Sequence, residues 1–318
     1  MADGGEMKWW SANKKKREPG WLVASLRPQE LAVVHGRIGL NGKARIGKLD
    51  SGALEGDYAG AERLSREWHL ERYRCATLLE PGDYQLLLVE APNVPPAELK
   101  AAIRWRIKDL LDYHVDDATV DVLDIPPDPS GAARSHSMYA VAARNEAVQA
   151  CIERFDAAQI PLSVIDIAET AQRNIASLYE DDGRGVGLLY LGESSGLFTI
   201  NYRRELYLAR RIDIGHEQIS AAPERAEAFN RIALELTRTL DHFDRQFGFV
   251  AVNKLLLGPE AEESGLLEYL RSNLDIPISR VDLGATLAFD SDARPDPRTE
   301  WQRFHLIGAS LRYEAKAP

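Results

Sequence analysis

The sequence predicts a multi-subdomain α/β protein in two lobes, and three observations carry that expectation. The chain has 318 residues, longer than one typical domain. Strand-like and helix-like patterns alternate along it. A short acidic and glycine-containing stretch, Glu180 to Arg184, separates two apolar patterns that each begin with β-like runs.

In the first pattern Leu22–Leu26, Leu31–Arg37 and Lys43–Leu49 read as strands, with Pro28 and the hairpin signal Asn41-Gly42 between them. A helix is predicted over Ala61–Leu70, then strands over Arg74–Leu79 and Tyr84–Val89. The unbroken run Leu86 to Val89 predicts a strand covered on both faces. Pro95 and Pro96 open a helix to about Leu111, with an apolar stripe of Leu99, Ile103, Ile107, Leu110 and Leu111. At 100° per residue Trp105 falls nearly opposite that stripe. Strands over Thr119–Ile125 and Ser137–Ala143, a helix over Glu146–Ala158, a strand over Leu162–Ile167 and a helix to about Tyr179 complete this half.

The second pattern opens with Val186–Leu191, Leu197–Tyr202 and Leu206–Ile212, a predicted antiparallel meander. A long helix follows, with Phe229, Ile232, Leu236, Leu240, Phe243 and Phe247 on one face. A strand over Lys254–Leu257, a helix over Gly265–Asn273, a strand over Ile278–Val281 and a closing helix over Trp301–Arg312 end the chain. Asp290 to Pro297 reads as a loop.

Composition excludes several functions. Hydrophobic residues at 45% and charged residues at 28% are globular proportions. A net charge of −10 argues against nucleic acid, whose binding rests on clustered Lys and Arg. Cys75 and Cys151 lie outside any C-x-x-C spacing, so a reducing compartment and no structural zinc are expected. The tail over residues 1–18 carries Trp9, Trp10, Lys14, Lys15, Lys16 and Arg17, a membrane-proximal pattern of aromatic and basic residues, without a signal-like apolar run. Met7, like Met1, is a plausible start.

Catalytic motifs fail on context. Gly192-Glu193-Ser194-Ser195-Gly196 satisfies G-x-S-x-G, but a strand follows it where a nucleophile elbow needs a helix, so a hairpin turn is expected rather than an esterase built on Ser194. Asp112, His114, Asp116 and Asp117 assemble on paper into a metal site, yet acidic residues after a helix are ordinarily solvated. No G-x-x-x-x-G-K-[S/T] loop and no G-x-G-x-x-G is present.

The segment GDYQLLLVEAPNVPPAELKAAIRWRIKDLLDY with VDDATVDVLDIP, within Gly82 to Pro126, resembles the MshI family, the PilM-like component of MSHA-type type IV pilus assembly. Supporting stretches are Pro161–Asn174, Gly185–Arg210, Leu236–Gly248 and Ile307–Arg312. The resemblance implies an actin-like, FtsA-related fold, with an inserted α/β subdomain in lobe I and a reduced upper subdomain in lobe II. It places the lobe I core at 19–91 and 160–180, the insert at 92–159, and lobe II at 184–318 with the long helix at 224–248.

The same resemblance implies a partner, the cytoplasmic tail of a PilN-like inner-membrane protein, for which Arg104, Trp105 and Arg106 are the candidate binding residues. Other platform components, self-association and peripheral membrane contact are implied as well, at a cytoplasmic location held to the inner membrane through partners. Actin-like ATPases hold nucleotide with two Asp/Gly phosphate hairpins and a Gly-rich loop. Here Ala24-Ser25-Leu26-Arg27-Pro28 stands at the first, where Pro28 removes a backbone donor. Glu193 stands in the second, and Gly258-Pro259-Glu260-Ala261-Glu262-Glu263 replaces the third, with carboxylates expected to repel a triphosphate. The expectation is a non-catalytic protein without cofactor. The alternative is a weak ATPase or nucleotide-dependent switch that uses Gly192, Ser194, Ser195 and Gly258 to hold ATP and Mg.

Overall fold

A computed structural model describes residues 17–38, 43–55, 58–128, 136–221 and 223–312. The first half contains β1 (Trp21–Arg27), β2 (Glu30–Ile38), β3 (Ala44–Ala53), α1 (Ala61–Glu67), β4 (Cys75–Leu78), β5 (Tyr84–Glu90), α2 (Leu99–Ile107), β6 (Ala118–Asp124), β7 (Ser137–Arg144), α3 (Asn145–Ala157), β8 (Leu162–Asp166) and α4 (Ala168–Ala176). The second contains β9 (Gly185–Leu191), β10 (Gly196–Tyr202), β11 (Glu205–Ile212), α5 (His216–Ser220), α6 (Arg225–Phe247), β12 (Val252–Leu257), α7 (Leu266–Asn273), β13 (Ile278–Arg280), α8 (Leu283–Thr286), β14 (Ala288–Phe289) and α9 (Pro297–Ser310).

Two sheets repeat one plan. Their strand orders are β3-β2-β1-β4-β8 and β11-β10-β9-β12-β13. In each, three antiparallel strands form a meander and two parallel strands follow on the far side of the first. Every residue of β9 and β10 is buried, the polar Thr199 and Asn201 among them. This duplicated α/β plan is the two-lobed actin-like architecture, and β14 adds a sixth strand to the first sheet beside β3.

The lobes exchange helices. Helix α4 follows the first sheet but docks on the second, where Gln172 Nε2 donates to the carbonyls of Leu188 (2.8 Å) and Leu197 (3.1 Å). Helix α9 follows the second sheet but docks on the first, with Ser310 against Gly36 and Arg303 paired to Glu30. The two helices cross at Gly308, where a Cβ would lie 2.2 Å from the Ala171 carbonyl oxygen. Asn174 Nδ2 donates to the Gly308 carbonyl at 3.0 Å and fixes the crossing. One apolar core joins Val23, Val34, Ile175, Leu188, Phe304 and Ile307 from both lobes.

Several expectations are corrected. Strand β5 pairs with β7 in a separate three-stranded sheet, ordered β5-β7-β6, so residues 84–90 stand with the strands expected only after residue 92. Helix α3 packs back on the first lobe through Cys151 and Phe155. Leu88 is 45% exposed, so β5 is not covered on both faces. Helix α2 stops at Ile107 rather than Leu111, because Leu110 N–H bonds the Ile107 carbonyl in a tightened turn, and Leu110 leaves the stripe to become 56% exposed. Helix α9 begins four residues before Trp301, with Asp296 as its cap and Pro297 in its first turn. The Asn41-Gly42 turn lies outside the described residues.

The crossing predicts that Gly308→Ala lowers stability by about 1–3 kcal/mol, since the added methyl meets backbone that cannot rotate away. Urea unfolding followed by circular dichroism checks it.

His305 gives a second prediction. Its Nε2 lies 3.1 Å from Gln172 Oε1, and the Tyr190 and Phe304 rings stand 4.6 and 5.6 Å away. Part of its surface is accessible, but burial of the ring, aided by the Arg211 cation, pushes its pKa down to about 3. The unfolded chain, titrating near 6.5, binds the extra proton. Stability is therefore full above that value and falls as pH drops toward 3, by at most about 1.4 kcal/mol per pH unit. A His305→Asn variant is expected to show a correspondingly flatter dependence between pH 6.5 and 4.

Candidate functional site

Two places carry the residues singled out from the sequence. The first is the β9–β10 turn at one end of the second sheet. The β9–β10 connection is a tight turn, with Gly192 N–H donating to the Ser195 carbonyl at 2.9 Å, and β10 follows directly. Ser194 thus sits exposed on a hairpin, as expected, without the helix an elbow requires. Helix α5 backs onto this turn: the amides of His216 and Glu217 donate to the carbonyls of Gly192 (2.7 Å) and Glu193 (3.0 Å). Gly215 is needed there, since a Cβ would lie 2.4 Å from the Glu193 oxygen.

Gly258 reaches the same end, its amide donating to the Leu189 carbonyl at 2.7 Å and its Cα facing the Tyr190 ring. Gly192, Ser194, Ser195 and Gly258 are thus brought to one end of the second sheet. The amides of both glycines are occupied by protein carbonyls. Aromatic groups lie beside them: Tyr190 stacks on Phe304 at 4.9 Å, its hydroxyl donates to the Trp301 carbonyl (2.8 Å), and Trp301 Nε1 donates to the Leu191 carbonyl (2.7 Å). Burial raises the Tyr190 phenol well above its ordinary value, and it stays protonated as that donor.

The charge expected at the third loop is corrected. Glu260 is buried and held by Arg280 at 2.7 Å and by the Ser264 hydroxyl, so its carboxylate is neutralised inside the protein rather than presented to a ligand. Glu263 remains exposed beside Arg280 at 3.8 Å.

The second place is an open groove of about 760 Å³ on the inserted unit, formed by α2 and the loop that follows it. Ile103 and Ile107 anchor α2 on the three-stranded sheet, which turns the opposite face of the helix outward. Trp105 stands on that face, 71% exposed, with the Lys108 ammonium 5.2 Å from its ring. Its two neighbours are committed. Arg104 donates to the carbonyls of Ala118 (2.7 Å) and Val115 (2.6 Å), which holds the loop against the helix. Arg106 pairs with Glu90 at 3.6 Å.

Tyr113 lines the same groove under the Arg144 guanidinium at 4.1 Å, and burial pushes its phenol up while its hydroxyl has no partner among the described residues. Sequence reasoning missed Tyr113 and Lys108, whose place depends on how the chain leaves α2. Asp112 is taken by Gln85 (3.2 Å) and Arg144 (3.1 Å), and no group of three metal-ligating side chains occurs among the described residues. Trp9, Trp10, Lys14, Lys15 and Lys16 lie outside the described residues, which begin at Arg17. No helix among the described residues is long and apolar enough to cross a membrane.

No protein-family model and no curated protein matches the chain. Among solved structures, the PilM-PilN type IV pilus biogenesis complex provides a similar chain at 19% identity, covering 92% of this chain and 97% of that one with a TM-score of 0.68. The cytoplasmic domain of EpsL, an inner-membrane component of the type II secretion system of Vibrio cholerae, is similar at 12% identity over 92% of this chain and 96% of its own, with a TM-score of 0.47. A Bacteroides thetaiotaomicron protein with an actin-like ATPase fold and unknown function is similar at 10% identity over 95% and 99%, also at 0.47. Together with the duplicated sheets, the first of these likenesses shows that the chain has the two-lobed, PilM-like form of the actin-like fold.

Proposed function

We propose that this protein is a non-catalytic scaffold of a type IV pilus assembly platform of the MSHA type, which binds the cytoplasmic tail of a PilN-like inner-membrane protein. It works at the cytoplasmic face of that membrane through its partner. The observation that carries the proposal is Trp105, a large aromatic side chain 71% exposed at the lip of an open groove on the inserted unit. Buried Trp anchors dominate the energy of protein interfaces, and an exposed one on an ordered helix is poised to become such an anchor. Lys108 supplies a polar group beside it, and Tyr113 lines the same groove. Arg104 acts by holding the groove's wall, and Arg106 by its pairing with Glu90.

The absence of turnover is supported by the β9–β10 turn and the loop at Gly258. A phosphate cradle needs free backbone N–H groups, and those of Gly192 and Gly258 are already bonded to Ser195 and Leu189. Pro28 in the β1–β2 turn has no N–H to give. These features favour the scaffold over a weak ATPase or nucleotide-dependent switch.

Replacing Trp105 with Ala is expected to weaken capture of a PilN-like tail peptide by about 2 kcal/mol, roughly 30-fold, with the melting temperature nearly unchanged. Unaltered capture discards the assignment. Titration calorimetry with Mg-ATP is expected to give no micromolar binding; micromolar affinity with measurable hydrolysis establishes the nucleotide-dependent reading instead.

A further inference from the structure

The inserted unit touches more than the lobe that carries it. It leaves the first sheet through the short link from Leu79 to Asp83, where Leu79 N–H bonds the Asp166 carbonyl at 2.9 Å, and returns through α3. Its sheet then reaches across to β11, the edge strand of the second lobe, at two points.

At the first point Tyr84, on β5, donates its hydroxyl to Glu169 Oε2 at 2.5 Å. Arg211, on β11, donates to the same hydroxyl at 2.6 Å and to Glu169 Oε1 at 2.9 Å. Glu169 opens α4, the helix that connects the lobes, and is 1% exposed. Insert, connecting helix and second lobe therefore share one charge-assisted cluster around the buried Glu169, with Arg211 at its exposed edge, in which each oxygen of Glu169 has a donor.

At the second point Tyr139, on β7, places its hydroxyl against the open edge of β11. It donates to the Tyr207 carbonyl at 3.4 Å and accepts from Ala209 N–H at 3.2 Å. An edge strand exposes alternating donors and acceptors that a neighbouring strand would satisfy. A hydroxyl, being both donor and acceptor, satisfies one such couple without continuing the ladder. Around it Ile125 and Tyr139, with Leu86 and Leu123, join the apolar core of the second lobe.

We infer that the inserted unit is a strap across the two lobes, which fixes their mutual angle through the Tyr84–Glu169–Arg211 cluster and the Tyr139 contact with β11. Opening of the lobes requires both contacts to part, because the strap is rooted in the first lobe and fastened to the edge of the second. A load on the insert is thereby passed to the angle between the lobes, along rigid sheet rather than through the loop at Glu180–Arg184.

The test uses the full chain with spin labels at Arg63→Cys on α1 and Glu268→Cys on α7, both on exposed side chains, with the two native cysteines buried. Tyr84→Phe together with Tyr139→Phe removes the two hydroxyls and keeps the rings. The interlobe distance distribution from pulsed dipolar spectroscopy is expected to become roughly twofold wider. Far-UV circular dichroism is expected to stay as it was. An unchanged distribution overturns the strap. If the double variant does not fold, Tyr139→Phe alone is read with the same labels, and the Ala209 amide is expected to exchange about tenfold faster. Unchanged width and unchanged exchange in that variant overturn the inference equally.

Discussion

The crossing of α4 and α9 is the constraint on which the rest of the molecule depends. Two lobes built on the same sheet plan would each be left with an uncovered face, and each covers the other's. The exchange requires the helices to approach until Gly308 rests on the Ala171 carbonyl, a separation only glycine permits without displacing backbone. Gln172 then reaches through the second sheet's surface to Leu188, Leu197 and Thr199, which satisfies its buried amide. A lobe cannot be removed without stripping the cover from its neighbour.

That arrangement sets the two candidate surfaces apart. The end of the lobes that would admit a ligand is the end where α9 brings Trp301 and Phe304 against Tyr190, and where the turn glycines bond to their own neighbours. The inserted unit instead presents an outward helix face and an open groove. Its inner face is spent on lobe contacts through Tyr84 and Tyr139, which leaves α2 and the loop after it as the surface offered to solvent. Arg104 there braces the loop and Arg106 is paired with Glu90, which makes a rigid support for one aromatic side chain rather than a positively charged patch.

Elements with a strong local period were legible in the sequence. The helix α6 with its row from Phe229 to Phe247 and the outward place of Trp105 follow from side-chain periodicity, and the meander β9–β11 from three β-like runs joined by short turns. The hairpin at Gly192–Gly196 followed from the β-branched and aromatic run after it. What escaped was set at a distance along the chain. The two-residue strand β14 forms only because β3 is there to pair with it. Glu260 looks like surface charge until Arg280, twenty positions later, takes it inside. Leu110 fits the stripe of α2, but the helix tightens at Ile107 before that residue is reached. The assembly of Tyr84, Glu169 and Arg211 leaves no local signature, since three separate elements supply one residue each.

The proposed function has this protein meet its partner on the inserted unit and not in the space between the lobes. Hydrogen–deuterium exchange of the full chain, with and without a synthetic PilN-like tail peptide, tests it most directly. New protection is expected across residues 101–116 and none at the Gly192–Gly196 turn or Gly258. Protection at that turn and at Gly258, with the α2 groove unaffected, would contradict it.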